Sequence, residues 1–202
     1  MLLSYDASRG IAYARFYAEY FAVPVNLRLF HYDTNGSDCA NFVSQCVWAS
    51  YGGWIQGFDE NTVAENKERI RKMVKMVPGV WFGSLFYSGS NKWCRVMEFY
   101  EYALAHKTYG PKGYKIYEGD WQGLDPSIIR RGDVIQMVVA SYASNRYGHS
   151  LYVTKEGNSL SEVEICCHSF DRRDAPLTEF SVFPDQYKKL RIIRFTSGNF
   201  QT

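Results

Sequence analysis

Near residue 114 the hydrophobic pattern of this chain changes period, from helical to strand-like, and few folds accommodate that order. Upstream, Ile11, Ala14, Phe16, Ala18, Phe21 and Ala22 recur near helical spacing over residues 8–22, with Ser8 as the expected N-cap and Pro24 as the stop. A second helix is expected from Cys39 to Tyr51, carrying Phe42, Val43, Cys46 and Val47 and ended by Gly52-Gly53. Residues 60–76 predict a charged, exposed helix, and 93–107 an amphipathic one built on Trp93, Val96, Met97, Tyr100 and Leu104. Downstream, strands are expected at 114–117, 133–139, 149–154, 162–166 and 190–195, with Gly157-Asn158 as a turn between the third and fourth. Helices first and strands second predict an α+β fold in which an antiparallel sheet packs on a helical half. The expected organisation is one domain over 1–202, helical over about 5–107 and sheet-forming over about 114–196.

A chain of 202 residues buries roughly 70% of its unfolded surface and needs no disulfide or metal to hold a core. Its five cysteines are an odd number, so a full disulfide framework leaves at least one thiol over. The 23 basic and 21 acidic residues are well mixed, which argues against nucleic acid and against a charged membrane surface. Arg130-Arg131 and the Lys188-Lys189-Arg191 cluster read as solvated faces. No apolar run is long enough to cross a bilayer. The opening Met1-Leu2-Leu3-Ser4-Tyr5-Asp6 has no apolar core of the kind a signal peptide carries.

The informative question is which thiol is reactive. A thiol attacks as its thiolate, whose formation is favoured at a helix N-terminus or beside an imidazolium. Asp33, Asn35, Gly36, Ser37 and Asp38 supply turn chemistry directly before the second helix, so Cys39 is expected at that helix's first turn. There the helix dipole favours a thiolate, and free backbone N–H groups can receive an oxyanion. Cys46, in mid-helix on the face of Phe42, reads as core. Among the histidines, His31 lies in a loop and His106 ends a surface helix, whereas His149 follows Gly148 at the start of a strand and suits a general base. His168 ends the neighbouring strand, and if the two strands pair, its ring could orient His149. Cys166-Cys167-His168 raises the possibility of a metal site, but adjacent strand residues point to opposite faces, so no metal is expected.

At this point the residues resemble a known family. Gly36-Ser37-Asp38-Cys39-Ala40-Asn41-Phe42-Val43-Ser44-Gln45 is similar to the G-G-D-C-T-N-F-V-S-Q signature of the bacterial putative amidase domain, a branch of the NlpC-like and CHAP-like papain-fold cysteine peptidases. Ser37 and Ala40 depart from it. Further landmarks follow in the family's order: Tyr5 to Tyr13-Ala14, Trp93 with Phe99 and Tyr102, Arg131-Gly132-Asp133-Val134-Ile135, Gly148-His149-Ser150, and His168-Ser169-Phe170-Asp171-Arg172 continued by Pro176-Leu177. The likeness runs from about residue 5 to 195.

The resemblance implies a papain-like fold, with Cys39 as nucleophile and His149 as base. It implies a polar third member, for which His168 is the choice and Asp171 the rival. Asp38, Asn41 and Gln45 are expected to shape the nucleophile turn or to contact substrate and oxyanion. The implied activity is amide hydrolysis through a thioester, on bacterial cell-wall peptide or another amide, without a cofactor. An inactive binding module of the same fold and an acyltransferase using the same thiol are the alternatives. A monomer in the cell envelope or secreted, or else cytoplasmic, completes the expectation.

Overall fold

The structure is a computed structural model that describes residues 1–34, 38–77, 79–141 and 145–201. Among these, six α-helices and seven strands form an α+β fold. The first helix, α1 (Ala7–Tyr17), is capped by Asp6, whose carboxylate accepts from the Ser8 N–H at 2.9 Å. Ser8 is therefore inside the helix, and Asp6 performs the capping expected of it. α1 stops at Tyr17, well before Pro24, and the chain continues through a 3₁₀ turn at Tyr20–Ala22. Phe21 stands exposed on that turn, so its fit to the helical stripe was coincidental.

α2 (Cys39–Ser50) is buried at all twelve positions, as befits a helix enclosed on every side. Gly52 closes it in the left-handed conformation at φ 82°, where its N–H returns to the Ala49 carbonyl at 2.9 Å. α3 (Glu60–Met76) has the expected bounds and carries the Glu65–Arg69 and Glu68–Lys72 pairs one turn apart. The helix expected over 93–107 is two: α4 (Asn91–Cys94) and α5 (Val96–Leu104), separated by an extended Arg95. The break lets Trp93 turn fully into the core, donating from Nε1 to Asn41 Oδ1 at 2.7 Å, while its carbonyl accepts from Ser44 Oγ at 2.7 Å. Two bonds to α2 outweigh the one turn of helix given up.

The strands are β1 (Leu2–Leu3), β2 (Gly110–Gly119), β3 (Val134–Val139), β4 (Tyr147–Lys155), β5 (Glu164–Cys167), β6 (Arg172–Pro176) and β7 (Tyr187–Asn199), with the short α6 (Thr178–Ser181) between β6 and β7. All pairings are antiparallel, in the order β1-β7-β3-β4-β5-β6, with β2 also on β7. β1, β6 and α6 are absent from the expectation. β6 reads Arg-Arg-Asp-Ala-Pro and lacks an apolar pattern; tertiary partners hold it instead. Asp174 accepts from Arg15 Nε on α1 and from Thr154 Oγ1, and Arg172 pairs with Glu179 at 2.7 Å.

Strand alternation divides the interior in two. Val134, Tyr152, Cys166, Ile193 and Phe195 face the helices. Ile135, Met137, Leu151, Val153, Cys167 and Ile192 face a second core closed by Trp121, Leu124, Ile129 and Phe180. Cys166 and Cys167 accordingly lie in different cores. No helix among the described residues is long and apolar enough to cross a membrane.

α1, α2 and β4 meet at Gly10. A Cβ there would lie 2.1 Å from both Ser50 Oγ and Tyr152 OH, which are themselves 2.8 Å apart. Gly10→Ala gains about 1 kcal/mol of helix propensity but overpacks a rigid crossing at a cost of about 1–3 kcal/mol. The variant is expected to unfold at lower urea concentration; an unchanged or higher midpoint would show that the crossing relaxes freely.

Candidate active site

The first turn of α2 opens into a cleft of about 740 Å³ whose walls include Cys39, Val96, Tyr147, His149, Phe170 and Arg172. Cys39 is the first residue of α2, at the end the sequence predicts, while Asn35, Gly36 and Ser37 of the preceding turn lie outside the described residues. Its Sγ donates to the Gly148 carbonyl at 3.8 Å, touching β4 next to His149. Cys39 is only 4% exposed. Burial pushes its thiol up to about 11, with the Asp38 carboxylate adding to the rise. The peptide N–H groups of Ser150, Ala40 and Cys39 pull in the opposite direction but do not prevail. In the unliganded site, then, desolvation outweighs the helix terminus.

His149 stands opposite Met137 on the sheet, on the face of Leu151 and Val153, with its ring 5.8 Å from that of Phe180. Burial, helped by the positive charge of Arg172, pushes its imidazole down to about 4. It is therefore neutral near pH 7, the form a general base requires. Among the described residues no hydrogen bond joins its ring to Cys39, to His168 or to Asp171. The two groups share one cleft; the bond between them is not formed in the resting site.

His168 has gone elsewhere. The pairing of β4 with β5 is as expected, but His168 lies buried with Nδ1 2.5 Å from Asp38 Oδ2 and Nε2 2.8 Å from the Tyr17 carbonyl. Its ring stacks on Phe42 at 4.1 Å. The carbonyl can only accept, so Nε2 donates to it, and Nδ1 meets the carboxylate on the other side. His168 thus clamps Asp38 rather than His149. Asp171 is also occupied away from His149, accepting from Tyr32 OH at 3.1 Å and from the Tyr20 N–H at 3.2 Å.

Asp38 occupies the N-cap position of α2 but its side chain makes no cap bond to that helix. Instead Oδ1 accepts from the Asp33 N–H at 2.9 Å and from Asn41 Nδ2 at 2.8 Å, while Oδ2 meets His168. Asn41 also donates to the His31 carbonyl at 2.9 Å. Gln45 accepts from Tyr13 OH at 2.7 Å. These three motif residues are 1%, 1% and 3% exposed. They lie behind Cys39, tying the start of α2 to α1, to the His31 loop and to Trp93. Of the rings in the middle third of the chain, Trp81, Trp93, Phe99, Tyr102 and Trp121 are core, whereas Phe86, Tyr87 and Tyr114 stand exposed.

Arg172 is the neighbour of His149 to which sequence reading assigns no role. Its guanidinium lies 4.8 Å over the Phe180 ring and pairs with Glu179. Only the tertiary fold brings it to the imidazole; the sequence shows it as the last residue of the His168–Arg172 landmark without giving it a role.

Two outcomes follow from these environments. Removing either member of the buried Asp38–His168 pair leaves the other uncompensated, so Asp38→Ala and His168→Ala should each cost about 3–5 kcal/mol in urea unfolding. Losing the exposed Glu65–Arg69 pair should cost under about 1 kcal/mol. Near-equal costs would show that the clamp contributes little. His149, with its folded-state pKa depressed, binds its proton more readily when unfolded. Its contribution is complete above about pH 6.5 and lost as the pH falls toward 4, on the order of 3 kcal/mol in all. Stability of a His149→Asn variant should fall less steeply than the parent across that window.

The geometry described above can be set beside known proteins. No curated protein and no solved structure matches this chain. The model of one family, described as the putative amidase domain, matches residues 4–193, from just after β1 into β7. That span takes in the start of α2, β4 and the β5–β6 hairpin, and the chain belongs to the putative amidase domain family, a hydrolase family by its description.

Proposed function

We propose that this chain is a cysteine-dependent amide hydrolase of papain-like, NlpC-related type, working through a thioester acyl-enzyme. The observation that carries the reading is Cys39 at the head of a buried helix, sharing a cleft wall with a neutral His149 and with three peptide N–H groups favouring its thiolate. Substrate entering the cleft displaces water and brings a carbonyl to Sγ. His149 takes the thiol proton as the S–C bond forms, and the N–H groups at the start of α2 receive the negative charge on the carbonyl oxygen. The C–N bond then breaks, with the proton passing from His149 to the leaving amine. Water, deprotonated by His149, attacks the thioester and returns the thiol.

Cys39 and His149 act as a dyad in this scheme, and the Asp38–His168 clamp is a positioning pair for the nucleophile turn. Cell-wall peptide is the proposed substrate class, which puts the site of action at the cell envelope. A second reading, an inactive binding module, draws on one specific observation: thiol and imidazole are both neutral and unbonded to each other at rest.

Cys39→Ala should abolish hydrolysis of cell-wall peptides, and His149→Ala should lower it by about 10²–10⁴-fold. Both are measured as released amine. Mass mapping of a thiol-directed electrophile separates the two readings. Selective labelling at Cys39 together with hydrolysis supports the enzyme; uniformly slow labelling of all five thiols with no hydrolysis supports the module.

A further inference from the structure

The β5–β6 hairpin turns at Ser169 and Phe170, both left-handed, with φ 64° and 76°. Two successive left-handed residues make a turn of the kind that Asn-Gly fills, and a bulky ring adopts that conformation rarely. Phe170 is also 86% exposed, the most exposed large apolar side chain among the described residues. No aromatic ring among those residues pairs with it. An unfavourable backbone carrying an unburied ring is conformation held by its surroundings, and such outliers gather at functional sites.

Here the surroundings are the candidate active site itself. Ser169 Oγ accepts from the Asp38 N–H at 3.1 Å, one residue before the nucleophile. The Phe170 carbonyl accepts from Arg172 Nη1 at 2.9 Å, and Arg172 is the charge beside His149. The turn is thus fastened to both halves of the dyad, and Phe170 lines the same cleft as Cys39 and His149. Val96 and Tyr147 pack directly on Cys39, and Met97 also lines the cleft. The nucleophile therefore has apolar and aromatic surface on its flanks.

We propose that Phe170 is a specificity-determining residue, and that the cleft takes amides bearing an aromatic or other large apolar group, which stacks on the Phe170 ring. The inference rests on Cys39 being the nucleophile. Its test needs no natural substrate. The full-length chain reacts separately with iodoacetamide and with its neutral N-benzyl analogue; in each case sulfur displaces iodide. Rates at Cys39 are followed by mass spectrometry and normalised to the reaction of each reagent with glutathione.

The parent should favour the benzyl reagent by about tenfold, the size of one good apolar contact with an aromatic ring. Phe170→Ala should bring the two normalised rates to within about twofold of each other, leave the iodoacetamide rate within about twofold of the parent's, and leave Tm unchanged or raised, because Ala loses no buried contact there. Phe170→Tyr should retain the preference. A preference that survives Phe170→Ala overturns the proposal. So does a fall in Tm with both rates reduced together, which would make the ring structural. Failure of both reagents to label Cys39 overturns the nucleophile assignment and this inference with it, whereas labelling at Cys39 without benzyl preference overturns this inference alone.

Discussion

The segment that leads into Cys39 is held above all by one short contact, between the Asp38 carboxylate and the His168 ring. Through it the start of α2 is bonded to the end of β5, and through the other ring nitrogen to the last turn of α1. The remaining carboxylate oxygen gathers the Asp33 loop and Asn41, and Asn41 reaches Trp93 and the His31 loop. Buried charge of this kind adds little net stability compared with a well-packed apolar core, but it tolerates only one arrangement. It sets where Cys39 sits relative to β4 more tightly than apolar packing could.

The same burial that makes the clamp exacting also quiets the chemistry. Cys39 and His149 are each nearly removed from water, and each is pushed toward its neutral form. Three N–H groups lean the other way without reversing the balance. The two are close enough to share a cleft, so reactivity depends on what enters it.

The sequence is legible where local physics decides. α2 and α3 follow from periodicity, turn residues and Gly52, and all five expected strands exist, though β2 and β7 run longer than their apolar cores suggest. The placement of Cys39 at a helix start is of this kind too. Illegible features depend on distant partners. Arg95 breaks a helix because Trp93 finds two bonds on α2. β6 has no apolar alternation and sends only Ala175 into the core, yet Arg15, Thr154 and Glu179 hold it, and its hairpin turns on Ser-Phe where turn chemistry favours Asn-Gly. The pairing of β4 with β5 was readable, but not that His168 would turn away from His149, because Asp38 and Tyr17 come to it from other parts of the chain.

β7 carries a further consequence. It is the last strand in sequence, yet β1, β2 and β3 all bond to it. The β3–β4–β5–β6 hairpins can assemble from neighbouring residues as they emerge from the ribosome, but β1 and β2 have nowhere to dock until residues 187–199 arrive. Their backbone N–H and C=O groups must wait without their ladder partners. Closure of the sheet is thus a late, long-range event, slow by its contact order. During synthesis the nascent chain passes through an interval in which α2 and its neighbours β4 and β5 are complete but the sheet is not.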